Sequence, residues 1–449
     1  MFTMQFANSL RENTGEYTLF SIRNTKRCVS VFHKQKSKRP SFSTKTTHFC
    51  ILFGEDVDQS PLKTKVPLLA VEVFTYLDFY EDRIEKLVYV SKADTTGLEG
   101  SQNVNVGRFV IAYISEICQM TIAELLNGMK VHVRAHNDDG TDVTKSNKIN
   151  GGGMFMSETQ HHLHVLQQRA AGNVDYGTTN RLYVLATEYL RDIQHIDIDL
   201  LVGNVHTRLV MFTRSEGQYL FPESMKNAGK HVLDGSKLLK WWLRNVDGIV
   251  NGTGWEGTKK WLDVLNMDNR EIARFFPSVE WKAGNVYSDV ESSEPAIYSI
   301  PLLPDDPKGR FLEHLVVEGR AKKVNCTRYW EELAIRQEFR FGAVVGLVGV
   351  SGFVKTTSNS NAQENPLQVV DASVVKQFNE LVTSKDYSDK SDWSLLFDEL
   401  EQLEGLNRTN IQLLSGTWVP RSHSEATNAL QPVVNTLMCV RSRKRQKKS

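Results

Sequence analysis

Two adjacent carboxylates, Asp305 and Asp306, lie inside the run Ile300-Pro301-Leu302-Leu303-Pro304-Asp305-Asp306-Pro307-Lys308-Gly309-Arg310-Phe311. Each proline fixes its own φ and pushes the residue before it toward extended geometry, so the run reads as a stiff connector. It holds acid and base at fixed offsets, which is what a site needs to position a cation or a transferable proton. Lys308 is near enough to pair with either aspartate. If buried, it is a costly charge or a group neutralised by modification. The plain alternative is a surface turn with a local ion pair.

Two further segments carry candidate chemistry. Val90-Ser91-Lys92-Ala93-Asp94-Thr95-Thr96-Gly97 closes a strand and opens into a Ser/Thr/Gly loop whose backbone N–H groups are free for a ligand. Asp94 either orients a ligand or acts as an acid or base, or it caps nearby N–H groups as an Asx-type turn. The second segment runs from Phe212 through Arg214, Glu216, Gln218, Tyr219 and Phe221, and on to His231 and the pair Trp241-Trp242. Aromatic walls with a few polar groups suit a long, thin, partly apolar ligand such as a pantetheine arm. Lys237, Lys240 and Arg244 lie along one side of the helix that follows, where they could meet phosphates. The plain alternative is a helix with one tryptophan in the core and the other on its margin; adjacent tryptophans cannot share a helix face, so at least one needs a reason to be there.

Other motifs are discounted. His161, His162 and His164 stand in a Gln-rich stretch with no cysteine or acid at zinc spacing, so no metal is expected. Gly346, Gly349 and Gly352 lack the Gly-Lys-Ser/Thr ending of a phosphate loop and read as close packing of a Gly-rich strand. The sequons at Asn325 and Asn407 carry no weight in a chain without a secretion signal.

These residues need a scaffold. Strand-like runs at Tyr17–Ile22, His48–Phe53, Leu68–Tyr76 and Lys86–Val90 come first, the last apolar on both faces and so central. Helical spacing covers Val106–Met129. Residues 130–178 shift to Gly, Asn, Asp and His and read as a mobile insertion, with a short helix near Glu158–Arg169. A helix near Arg181–Gln194, a strand at His206–Thr213 and a helix from Gly235 to Val250 follow. Helices are expected at Gly309–Arg320, Arg328–Gln337, Ala372–Thr383 and Asp392–Leu406. Phe339–Val354 reads as a buried strand pair with a tight turn, and 355–366 as a loop. Strands scattered among helices, without strict βα alternation, favour an α/β (α+β-like) architecture with a central mixed sheet surrounded by helices. One domain is expected over residues 1–420, ahead of a basic tail over 421–449.

Bulk properties narrow the class. The chain has 449 residues, 40% hydrophobic and 24% charged, with net charge +1. That composition supports a large core, and the balance argues against a general nucleic-acid coat or a polybasic membrane binder. Five widely spaced cysteines with no CxxC pair fit reduced thiols. No apolar run reaches the ~18 residues of a membrane span. The opening segment lacks the apolar core of a signal peptide. The cluster from Arg441 to Lys448 reads as a nuclear import signal or an electrostatic arm.

With these segments in hand, the chain resembles the fungal histone H3 lysine acetyltransferases of the regulator-of-Ty1-transposition family. The likeness rests on the string VSKADT ending at Thr95 and on FTR, QYLFP, KN, KH and KWW between Phe212 and Trp242. It continues in IP and PDDPK between Ile300 and Lys308, and in the WEEL…RQEF segment from Trp330 to Phe339. The resemblance implies a fold akin to the CREB-binding-protein-type acetyltransferases and acetyl-CoA as co-substrate. It ties Asp94, Tyr219, Trp242, Asp305 and Asp306 to activity. It assigns Ala93, Asp94, Thr95, Phe212, Arg214, Gln218, Tyr219, His231 and Trp241 to the cofactor, and autoacetylation to Lys308. It implies histone H3–H4 as substrate, presented by a nucleosome-assembly-protein-type chaperone or an immunoglobulin-like H3–H4 chaperone. A nuclear role in chromatin assembly, genome maintenance, the DNA damage response and transcription regulation goes with it.

Two departures stand out. Glu216 occupies a stretch that is small and uncharged in the family, and it faces either the cofactor channel or solvent. Gly309 stands where alanine is usual, which loosens the start of that helix by up to ~1 kcal/mol. Acetyl transfer must take a proton from an ammonium with a free pKa of ~10.4. A carboxylate pair can hold that ammonium and pass the proton on. No cysteine lies in the motifs, so direct attack is expected rather than an acyl-enzyme. The competing reading is a catalytically weak, chaperone-binding scaffold with the same fold; a CoA-dependent small-molecule acyltransferase stands further off.

Overall fold

Four long strands open the chain: β1 (Glu16–Arg27), β2 (Phe42–Glu55), β3 (Lys65–Phe79) and β4 (Ile84–Thr95). They pair in sequence as an antiparallel meander. β3 is buried along almost its whole length, so its apolar residues serve both faces. β5 (Val205–Thr213) then joins β4 in parallel, the pairing that needs a long crossover. β8 (Gly346–Val354) and β6 (Trp255–Val264) extend the sheet antiparallel, and β7 (Trp281–Ala283) ends that side. β10 (Ile411–Ser415) covers the other edge beside β1, and β9 (Gln368–Val369) adds a short parallel pairing to β1. This computed structural model describes residues 6–32, 40, 42–55, 64–80, 83–126, 205–287, 294–336, 344–355, 368–406 and 411–420. The insertion over 130–178, the helix expected at 181–194, the 356–366 loop residues, the histidines at 161, 162 and 164, and the basic tail lie outside them.

The mixed sheet ringed by helices is the architecture expected from the sequence. Alternation along β5 shows how it is packed: Leu209 and Met211 enter the main core, whereas Val210 enters a second cluster with Phe74, Tyr89, Tyr287 and Leu303. The main core is closed by α1 (Val106–Gln119) and α3 (Gly235–Gly252) through Phe109, Val110, Ile114, Leu243, Val246 and Ile249. α5 (Pro307–Val317) and α6 (Cys326–Ala334) form a third cluster around Phe311, Leu315, Tyr329 and Leu333.

Several boundaries differ from the sequence reading. The helical run from Val106 stops at Gln119 and restarts as α2 (Ile122–Leu126). Thr121 and Glu124 explain the break. The Glu124 carboxylate accepts from Thr121 N (2.8 Å), and Glu124 N donates to the Thr121 hydroxyl (3.1 Å), a reciprocal capping box that begins a new helix. Lys86 then donates to the carbonyls of Ile117, Cys118 and Met120 at 2.8–3.0 Å, capping the end of α1 with a buried cation. In place of a strand pair in 339–354, the described part is one strand, β8, held between β5 and β6. A Cβ on Gly349 would come within 2.6 Å of Val286, so its glycines serve close packing. β6 and β7 were not expected. The helix anticipated at Asp392–Leu406 is two short ones, α8 (Lys390–Trp393) and α9 (Leu396–Glu401), after α7 (Ala372–Ser384).

Candidate functional site

The end of β4 is displaced by a bulge. Val73 faces Val90 and Glu72 faces Lys92, which leaves Ser91 as the extra residue. A bulge bends its strand and re-aims the side chains beyond it, and the residues beyond this one are Lys92, Ala93, Asp94 and Thr95. Asp94 is buried. Its Oδ2 accepts the backbone N–H groups of Tyr219 (2.7 Å), Leu220 (3.0 Å) and Phe221 (3.4 Å), and its Oδ1 accepts from Thr95 N (2.8 Å) and the Lys230 ammonium. Lys230 also donates to the Thr95 carbonyl and the Ser224 hydroxyl. With this set of donors, Asp94 clamps the chain that follows β5 to the end of β4.

Gly97 makes the clamp possible. Its φ is +67°, and a Cβ there would lie 2.2 Å from the backbone N of Lys230. Lys230 was not singled out from the sequence. Nothing local marks a lysine whose partners lie 135 and 136 positions away.

A cavity of about 250 Å³ opens beside the clamp, lined by Ala93, Asp94, Thr95, Tyr219, His231, Trp241 and Trp242. Leu69, Val106, Ser215, Glu216, Lys230, Val232, Leu233 and Leu238 complete it. The strand end, the post-β5 loop and the start of α3, singled out as separate segments, thus meet in one place. Asp234 caps α3 by accepting from Lys237 N (2.9 Å), which sets the register that brings both tryptophans to the cavity. Their rings meet edge to face, 4.9 Å apart. Trp242 is buried and Trp241 half-buried. Lys237 pairs with Asp234 outside the cavity, and Lys240 lies 5.6 Å from the Phe275 ring centre; neither lines it, nor does Arg244.

The Tyr219 hydroxyl donates to the carbonyl of Arg214, and burial, reinforced by the Glu216 carboxylate, pushes its phenol above the ordinary range. It stays neutral at physiological pH. The Ser215 hydroxyl donates to the Leu233 carbonyl. Arg214 Nε and Glu216 Oε1 are 2.7 Å apart. Glu216 lines the cavity while holding Arg214, which does not line it. Phe212 and Gln218 do not line it either; Phe212 packs instead against the second and third clusters. The Gln218 side-chain oxygen is buried without a partner among the described residues.

The carboxylate connector splits its two acids. Asp305 has φ +54° and an exposed side chain, and its Oδ2 lies 2.7 Å from Lys92 Nζ. Lys92 stands two residues before Asp94, which ties the connector to the strand that forms the cavity wall. Asp306 is buried. One of its oxygens caps α5 by accepting from Lys308 N (3.0 Å), and the other takes the Lys308 ammonium. Lys308 is 1% exposed, lies 5.0 Å from the Phe212 ring centre, and its carbonyl accepts from the Tyr329 hydroxyl (2.7 Å). Phe212 thus links this buried pair to the strand that leads into the cavity. The two aspartates of one dipeptide have different surroundings, which spacing alone does not reveal.

Among the described residues, no group of three or more His, Cys, Asp or Glu is placed to hold a metal, and no helix is long and apolar enough to cross a membrane. The described cysteines Cys28, Cys50, Cys118 and Cys326 are free, and none lines the cavity.

Residues 3–403 match the family description "Histone acetyltransferase KAT11-type domain". Histone acetyltransferase RTT109 of Candida albicans is 30% identical over 384 residues, covering 84% of this chain and 94% of that protein. Histone acetyltransferase rtt109 of Schizosaccharomyces pombe is 30% identical over 158 residues, covering 32% of this chain and 41% of that one. The crystal structure of Rtt109 from Aspergillus fumigatus aligns with a TM-score of 0.58 at 18% identity, over 94% of this chain and all of that one, a likeness of fold.

Proposed function

Because the chain belongs to the KAT11-type histone acetyltransferases, we propose that it moves acetyl from acetyl-CoA to lysine side chains of histone H3, and that H3–H4 chaperones present the substrate. Histone lysine acetylation is the family's activity, and that family's chemistry implies acetyl-CoA. The H3 preference, the chaperones and a nuclear role in chromatin assembly and genome maintenance rest on the motif resemblance.

The observation that carries the reading is the single cavity shared by Asp94, Tyr219, His231, Trp241 and Trp242. The residues fit the co-substrate. The two tryptophans, with Leu69, Val106 and Leu238, give the cavity an apolar wall that suits the pantetheine arm. Acetyl-CoA supplies the activated acyl group. Ala93, Thr95, Phe212, Arg214, Gln218, His231 and Trp241 would hold it, and Tyr219 and Trp242 would shape its acetyl end. Asp94 would act by fixing the loop, since its oxygens are already engaged. Asp305, exposed and already holding one ammonium, is the carboxylate we assign to the incoming lysine and its departing proton. Direct attack is the preferred route. Asp306 and Lys308 form the supporting layer, with Lys308 the site of autoacetylation. The whole of residues 1–420 is proposed as one domain.

The test is acetylation of recombinant H3–H4 by the purified chain, with acetyl-CoA, with and without a nucleosome-assembly-type chaperone, read by peptide mass spectrometry. Acetylated H3 that rises with chaperone is expected. Acetylation confined to other histones would overturn the H3 assignment, and equal yield without chaperone would overturn the dependence.

A further inference from the structure

The ion pair at the cavity mouth sets one acid against the site's own ligand chemistry. Arg214 is the first cation after β5, and coenzyme A carries its negative charge on phosphates at its nucleotide end. Glu216 lines the cavity and holds the Arg214 guanidinium at 2.7 Å. The contact is not a chance meeting of two loose side chains. The chain between them is pinned twice, by the Tyr219 hydroxyl on the Arg214 carbonyl and by the Ser215 hydroxyl on the Leu233 carbonyl. Both acid and base remain about two-fifths exposed, so the pair can open.

We propose that Glu216 is an internal competitor for Arg214, an affinity-setting residue that occupies the guanidinium a cofactor phosphate would otherwise engage. The proposal rests on the reading of Arg214 as a cofactor ligand. Binding then exchanges one ion pair for another, with Glu216 released to water. Two consequences follow. The cofactor binds more weakly than it would with a small neutral residue at 216. Its affinity also responds less to salt, because no ion pair is gained overall.

The experiment is calorimetric titration of the full chain with coenzyme A and, separately, with pantetheine, which has the thiol arm without the phosphates. Glu216→Ala is expected to tighten coenzyme A about two- to fivefold at low salt, the range set by an exposed ion pair, and to steepen the salt dependence. Pantetheine binding should not change. Glu216→Gln, which keeps the side chain's size, should reproduce the gain if the alanine variant is poorly folded. In an Arg214→Ala background the gain should vanish.

If the gain persists in that background, Glu216 acts as a general negative charge and the competitor role is wrong. If Arg214→Ala weakens coenzyme A but Glu216→Ala does not tighten it, the proposal falls and the reading of Arg214 survives. If Arg214→Ala leaves coenzyme A binding unchanged, the reading of Arg214 fails first and takes the proposal with it.

Discussion

Asp305 and Asp306 share a dipeptide but not an environment, and that difference separates a role in turnover from a role in stability. Asp305 sits at φ +54°, a region asparagine tolerates, and its side chain is exposed. Asp305→Asn should therefore fold normally, with a stability change within ~0.5 kcal/mol, while histone acetylation falls about tenfold or more. Asp306→Asn should behave differently. Asparagine is itself a good helix cap, so the substitution removes mainly the charge that balances Lys308. Breaking a buried ion pair costs about 3–5 kcal/mol because the remaining charge is stranded. If Lys308 carries an acetyl group, no charge is stranded and the cost should shrink to about 1 kcal/mol or less. Intact mass with peptide mapping should find one acetyl group on Lys308 in active enzyme. Denaturant unfolding of Asp306→Asn, prepared with and without that group, checks the link. A stability loss that ignores the modification would show that Asp306 does not serve to balance Lys308.

Gly309 tests the same region as an element. It lies in the first turn of α5, and a Cβ added there would meet the Leu303 carbonyl at 3.4 Å, the Leu302 side chain at 3.6 Å and the Leu303 backbone N at 3.7 Å, ordinary contact distances. Gly309→Ala should stabilise the protein by about 0.5–1 kcal/mol, because glycine loses more backbone freedom on folding. Thermal unfolding reads this directly, and a lower midpoint would mean that the Leu303 carbonyl cannot give way. The start of α5 is legible in Asp306-Pro307, a cap followed by proline at the first helical position, although the expectation of Gly309 placed it two residues late. The first four strands were legible for the same kind of reason, as their apolar patterns are local. So was the break after α1, although it was missed: Thr121-Ile122-Ala123-Glu124 carries the capping-box spacing. β6 was not legible. Its charged stretch, Glu256 to Lys260, becomes a strand because β8 offers a paired edge, and Lys260 is buried only because Asp247 and Glu280 receive it at 2.8 and 2.6 Å. In the candidate site, residue types and segment boundaries were readable. The clamp between Asp94 and Lys230, and the Glu216 contact with Arg214, depend on which loops the sheet order brings together.

At the scale of the whole molecule, the sheet and α1 enclose charges far from the cavity, and these give its stability a distinctive pH dependence. Burial, reinforced by Glu124, pushes the Glu116 carboxyl up to about 7, with Arg23 pulling the other way. Burial, with Arg23 and Lys86 adding to it, holds His48 well below its ordinary range. The two act in opposite directions. Between the ordinary carboxyl range near ~4.3 and pH 7, folded Glu116 keeps a proton that the unfolded chain releases, so its contribution to stability falls as pH rises through that window. Below about 6.5, unfolded His48 takes up a proton that the folded chain refuses, so its contribution falls as pH drops. Glu116→Gln removes the first effect and leaves the second. The variant should match the parent near pH 4.5, gain on it progressively up to pH 7, and hold a constant advantage above that. Urea unfolding across pH 4.5 to 8 measures that difference. An advantage of the same size at every pH would mean that the Glu116 carboxyl titrates alike in the folded and unfolded chain and is not under the burial described above.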